Sequence, residues 1–185
     1  MKSTIANTLD LEINLGEIIE IGITTIDLTN LQILKSYDMP IINIQPIEKE
    51  ITELTGWTDA KLKRQGIPLE KALARIAEKY GPINRLLVVD QATETEPFET
   101  QASLGKESYD PFGKDRVNVS SLYKIVSGDH DDSRSLKHML RYFGMEFEGT
   151  LHRAHDDSKN IARLFIAMMK CLQEGYHHPR HPDSH

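Results

Sequence analysis

With 185 residues, 39% hydrophobic and 27% charged, the chain has the size of one domain and too much apolar content for a wholly disordered polymer. No apolar run approaches the length that spans a bilayer, and Cys171, the single cysteine, excludes an intrachain disulfide or a cysteine-rich zinc site. The formal charge of -6 argues against a protein that coats nucleic acid through a basic surface, although clustered carboxylates that bind cations would give the same sign.

Asp10 and Glu12 interrupt the early apolar stretch, which reads against a secretory signal and for a soluble cytoplasmic protein. Leu9, Leu11 and Ile13 alternate with Asp10, Glu12 and Asn14, a period of two that predicts a strand with both carboxylates on one face. Gly16 makes a turn, Glu17 to Asp27 reads as a long second strand, and Thr29-Asn30 leads into a third from Leu31 to Met39. Turns this short leave no room for helical crossovers, so the three strands form an antiparallel meander. Pro40 and Pro46 bracket an extended segment, and Ile47 to Leu54 reads as a short helix stopped by Gly56. Trp57, the only tryptophan, reads first as a core residue.

Leu69, Ala72, Leu73, Ile76 and Ala77 form one stripe, which predicts an amphipathic helix from Pro68 to Tyr80. Leu86 to Val89 is wholly apolar, as a strand buried on both faces requires, and ends at Asp90. Glu94 to Ala102 follows as a helix with Pro97 near its start, and Ser103 to Asp115 reads as loop. Further helices are expected at Val119 to Val126, at Ser133 to Phe143 after an acidic turn, and from about Asp156 to Glu174. Residues 1–175 thus read as a single domain, and 176–185, rich in histidine and without apolar pattern, as a disordered tail.

Two carboxylates one strand-step apart repel unless a proton or a cation separates them, although a solvated edge strand would tolerate them. His152 and Asp157 stand five residues apart where a loop enters the last helix. Helix capping accounts for Asp156 but not for those two.

Taken together, Asp10-Leu11-Glu12, Glu17-Ile18-Ile19-Glu20-Ile21-Gly22, Leu54-Thr55-Gly56, Phe147-Glu148-Gly149, His152 and Asp156-Asp157-Ser158-Lys159-Asn160-Ile161-Ala162 resemble the DEDDh family of 3′–5′ exonucleases. The chain is most similar to the branch that includes exoribonucleases trimming histone messages and small RNAs, over roughly residues 5 to 170. The resemblance implies an α/β, ribonuclease H-like fold, in which a central mixed sheet is flanked by helices. It also implies two divalent cations, Mg²⁺ or Mn²⁺, held by Asp10, Glu12 and Asp157, with His152 as the general base. Hard oxygen ligands suit those ions, and a histidine, whose ordinary pKa is about 6.5, suits proton abstraction near neutrality. Ile13, Leu54, Thr55 and Trp57 occupy positions that line the terminal-nucleotide pocket in related enzymes. The implied partner is a single-stranded 3′ end of RNA or DNA, with no membrane.

The match departs at the family's fourth carboxylate, an aspartate shortly after a Trp-Gly pair. Aligning Phe98 with the family's apolar position puts Glu94 there, and Asp90-Gln91 in place of Trp-Gly. Three outcomes follow: Glu94 ligates with its longer arm, Asp90 replaces it, or the site is impaired and the protein binds nucleic-acid ends or a partner without cutting well. A ribonuclease H-type endonuclease uses similar carboxylates, but the spacing from His152 to Asp157 argues against it. His155 is expected to pack or face solvent, and His130 and His138 fit no motif.

Overall fold

Strand β1 (Ile5–Asn14) is central to the sheet, and its alternation of side chains decides which face carries the chemistry. In the computed structural model, which describes residues 4–81, 84–91, 93–103 and 110–175, β1 pairs antiparallel with β2 (Glu17–Asp27), and β2 with β3 (Gln32–Pro40). Leu15 and Gly16 link β1 to β2 with φ of 49° and 79°, the double left-handed turn that matches the twist of a hairpin. The antiparallel meander is therefore present. On its other edge β1 pairs parallel with β4 (Leu86–Val89), which pairs parallel with β5 (Arg116–Asn118), giving the order β3-β2-β1-β4-β5 among the described residues. A parallel partner requires a long crossover. Helices α1 (Lys49–Thr55), α2 (Asp59–Gln65) and α3 (Leu69–Lys79) fill it. Helices α4 (Glu96–Ser103), α5 (Val119–Ser127), α6 (Leu136–Tyr142) and α7 (Ala154–Gln173) complete the chain order.

The sheet separates two apolar cores. Leu9, Leu11, Ile21 and Ile23 pack with Leu69, Ala72, Leu73 and Ile76 of α3. On the other face Ala6, Ile26 and Val88 pack with Val119, Tyr123, Leu140, Ile161, Phe165 and Met168 of α5, α6 and α7. Asp10 and Glu12 share the second face with Ala6 and Thr8, so they look toward α7.

Three expectations are corrected. Helix α2 was read as irregular because Leu62 is its one buried residue, too few for a stripe; the sign of it is Thr58, whose side chain accepts the Lys61 amide. Strand β5 is three residues long, below the length at which alternation can be read. Helix α7 begins at Ala154, two residues before the expected start, and Asp156 does not cap it. The expected tail at 176–185 and part of the expected loop after Ser103 lie outside the described residues; residues 110–115 carry neither helix nor strand.

Gly22 sets the distance between α7 and the sheet. It is paired with Asp10 across β1 and β2, and a Cβ built on it would lie 1.8 Å from the carbonyl oxygen of Ala154. Only a residue without a side chain lets the first turn of α7 rest on the sheet here. Polar contacts then fix the seat: Thr8 Oγ1 donates to Ser158 O at 2.7 Å, and the Thr24 and Ser158 hydroxyls meet at 3.2 Å.

Candidate metal centre

Val89 pairs with Leu9, so Asp10 and Asp90 emerge side by side where the parallel ladder ends. This is the edge at which α/β sheets bind ligands. Asp157 arrives from α7 because Gly22 admits that helix. One oxygen each from Asp10, Glu12 and Asp157 lies within 4.8 Å of the others.

Their proximity appears in their acidity. Burial, and then the charges of Glu94, Asp157, Glu12 and Asp90, hold the Asp10 carboxyl well above the usual range. Burial, then Asp157, Glu20 and Glu94, push Glu12 up to about 8 against the pull of Arg153. Asp157 is pushed up to about 7 by burial, with the backbone amides of His152 and Arg153 pulling it down and Asp156 and Asp90 pushing it up. The Arg153 amide donates to Asp157 Oδ2 at 3.1 Å. Three half-buried oxygen donors that resist sharing ionisation are relieved by a hard divalent cation, so this donor set fits Mg²⁺ or Mn²⁺.

Glu94 stands in the turn before α4, not in the helix where it was expected. Its Oε1 accepts the Leu11 amide at 3.1 Å, a donor left free of ladder pairing because β4 has already ended. Burial pushes it up to about 7; the Leu11 amide opposes this, and Asp90 and Asp157 add to it. Glu94 is not one of the three close carboxylates, yet after burial its charge is the largest influence on Asp10. Asp90 is engaged elsewhere: Ser120 Oγ of α5 donates to its Oδ1 at 2.7 Å, while burial raises its pKa. Of the two expected substitutes for the fourth carboxylate, Glu94 therefore acts more directly on Asp10.

All of these groups line one cleft of about 770 Å³, with His152 at its mouth and Lys124, Arg134 and Lys137 among the residues on the wall from α5 to α6. His152 is exposed and has a left-handed backbone, φ 60°. His155 is half-buried, its Nδ1 3.2 Å from Asp156 Oδ1. His138 approaches Asp129 at 3.8 Å, and His130 is exposed.

The four expected nucleotide-pocket residues fall outside this cleft lining. Ile13 is half-buried against the first core, Leu54 is exposed at the end of α1, and Thr55 is buried, its hydroxyl donating to Ile51 O at 2.7 Å. Trp57 is 3% exposed and packs with Ile19 and Leu62, so its ring face is not open to a base as the stacking role required.

The rest of the last motif holds the site from behind. Asp156 Oδ2 accepts the Thr150 amide at 2.8 Å, with Gly149 (φ 94°) lying against its carboxyl group. Asn160 exchanges hydrogen bonds with the Glu148 backbone, donating at 2.8 Å and accepting at 3.1 Å. Sequence reasoning missed Glu20 and Arg153, which meet beside Glu12. The available signal was a glutamate inside a buried strand, which demands a partner.

Comparison with known proteins agrees with this arrangement. Residues 8–165 match the Exonuclease family RNase_T. The chain is 29% identical over 168 residues to 3′-5′ exoribonuclease 1 of Homo sapiens, covering 86% of this chain and 47% of that protein. It spans about half the length of the curated relatives it matches. The fold is that of the nuclease domain of 3′hExo, a DEDDh family member bound to rAMP, with TM-score 0.80 at 23% identity over 94% of both chains. A 3′-exonuclease in a structure of 3′-end-specific recognition of the histone mRNA stem-loop gives TM-score 0.79 at 22% identity, over 95% of this chain and 84% of that one. With the acidic cluster lying inside the matched span, the chain belongs to the RNase_T exonuclease family.

Proposed function

We propose that the protein is a two-metal 3′–5′ exonuclease that hydrolyses phosphodiester bonds at single-stranded 3′ ends of RNA or DNA, releasing nucleoside 5′-monophosphates. The observation that carries this reading is the set of three carboxylates, Asp10, Glu12 and Asp157, within 4.8 Å of one another. Those residues, with Glu94 alongside, would hold Mg²⁺ or Mn²⁺. When bound, such ions polarise a phosphoryl oxygen and acidify water.

His152, at the mouth of the same cleft, takes the proton of the attacking water on an imidazole nitrogen. The new oxygen–phosphorus bond forms as the bond to the 3′ oxygen of the preceding nucleotide breaks, and that oxygen leaves with a proton from solvent. Lys124, Arg134 and Lys137 supply on the opposite wall the positive charge that a chain of net charge -6 needs to draw in a phosphate backbone. Human 3′-5′ exoribonuclease 1 is the relative that favours RNA as the substrate.

The test is digestion of matched 3′-ended RNA and DNA oligonucleotides with Mg²⁺ or Mn²⁺. Wild type releases mononucleotides, and Asp10→Ala lowers the rate on the order of 10³-fold or more, the loss of several kcal/mol of charge stabilisation. Equal digestion by both proteins refutes the site, and short oligomers as products refute exonucleolytic action. A second reading, an end-binding module that cuts poorly, is favoured by one observation: Glu94 lies outside the close trio. Calorimetry separates the two, because a protein that binds AMP but takes up no Mn²⁺ is the module.

A further inference from the structure

Glu20 lies on β2 opposite Glu12 and is fully buried. A carboxylate in that position must be paired and hydrogen-bonded to be tolerated. Its partners come from two distant parts of the chain. From the junction of α1 and α2, Trp57 Nε1 donates at 2.8 Å. From the start of α7, Arg153 Nε donates at 3.1 and 3.2 Å to the two oxygens, Arg153 Nη2 at 3.0 Å, and the Ala154 amide at 3.3 Å. The last contact satisfies a first-turn N–H of α7, a helix whose own N-cap side chain makes no capping bond. The guanidinium also lies 4.6 Å from the Trp57 ring centroid, and Nη2 reaches Asp38 Oδ2 at 3.4 Å. The planar fork is thus fixed both by its bidentate partner and by a ring beneath it.

Arg153 directly follows His152. A left-handed backbone at a residue other than glycine persists only where its surroundings over-determine it. Here Asp157 holds the amides of residues 152 and 153 from one side, and Glu20 holds the Arg153 side chain from the other. The same carboxylate holds Trp57, whose amide donates to Thr55 Oγ1 at 3.1 Å. Leu54 and Thr55, the residues assigned to the terminal nucleotide, are therefore tied to the segment that bears His152.

We propose that Arg153 is a positioning residue which, through Glu20 and Trp57, sets the junction of α1 and α2 and the His152 segment as one unit. This rests on the exonuclease reading above. Arg153→Met keeps an apolar stem over Trp57 but removes the fork, whereas Arg153→Lys restores a cation without the bidentate geometry. With a 3′-labelled RNA oligonucleotide and Mn²⁺, Arg153→Met lowers kcat about 10- to 100-fold, the range expected when a reacting group is misplaced by about 1 Å. KM changes less than about threefold, since the interaction lost is with the base rather than with bound substrate. Mn²⁺ affinity by calorimetry stays as in wild type, and Arg153→Lys recovers part of the rate. Emission of Trp57, the only tryptophan, shifts to the red in the methionine variant as its cover loosens. An active wild type matched in kcat by Arg153→Met overturns the positioning role alone, as does a kcat loss accompanied by an equal loss of Mn²⁺ binding. A wild type that digests nothing overturns the exonuclease reading, and the positioning role with it.

Discussion

On the α7 wall of the cleft, Asp157 is fixed from several directions. Ser158 bonds to Thr8 and Thr24 below it, the amides of His152 and Arg153 hold its carboxylate, and the helix rests on the bare backbone of Gly22. On the β4 wall, Glu94 stands in a turn between a four-residue strand and α4, its carboxylate on the Leu11 amide. One wall places its ligand through helix and sheet; the other reaches in from a turn with a longer side chain. Three carboxylates thus make a fixed vertex, and the fourth position can adjust. That is where an extra methylene is tolerable, because a turn can set the backbone further back.

The contrast can be broken by activity. Asp10→Ala should remove hydrolysis on the order of 10³-fold or more. Glu94→Ala should cost about 10- to 100-fold, the size of an outer-ligand loss. Single-turnover digestion of a labelled oligonucleotide measures both, and equal losses would erase the distinction between the walls. A large loss in Asp90→Ala with none in Glu94→Ala would move the fourth ligand to the strand end.

The next largest effect concerns the seat of α7. Gly22→Ala forces a methyl into the Ala154 carbonyl. Overpacking against backbone should cost at least about 3 kcal/mol, a fall in Tm on the order of 10 °C for a chain of this size. Scanning calorimetry without metal checks it. An unchanged Tm would mean that α7 slides freely and that its wall is not the rigid one.

The smallest effect is the pH dependence of the metal-free protein. Glu12 sits at about 8 and Asp157 and Glu94 at about 7 in the fold. In the unfolded chain such carboxyls titrate near about 4. Between those values the native state holds protons that the unfolded state has released, so raising the pH costs stability. With chelator present, Tm should fall by a few degrees from about pH 5 to about pH 8.5, and Mn²⁺ should reverse the fall. A Tm that rises over this window would show that the carboxylates do not crowd one another.

Much of this site is legible in the sequence because its ligands lie in periodic segments. Alternation in β1 fixes the shared face of Asp10 and Glu12, and the meander follows from turns too short for anything else. Contacts between distant segments are not written in local pattern. Nothing around Gly22 announces that Ala154 will lie on it, and Glu20 reads as one more residue of a buried strand until Arg153 and Trp57 converge on it. The place of Trp57 was open in the sequence for the same reason: an aromatic between two short helices can face inward or outward, and the hydrogen bond to Glu20 decides it. Helix α2 and β5 escaped notice through brevity alone.

His152 has a backbone angle of +60° in a turn where glycine would be at ease. For an L-residue that conformation costs roughly 1–2 kcal/mol, and the cost falls on the whole fold. A library of this chain sorted only for heat resistance would therefore drift away from histidine at 152, towards proteins that are firmer and idle. The residue that serves the chemistry is one that conformational preference, left to itself, would replace.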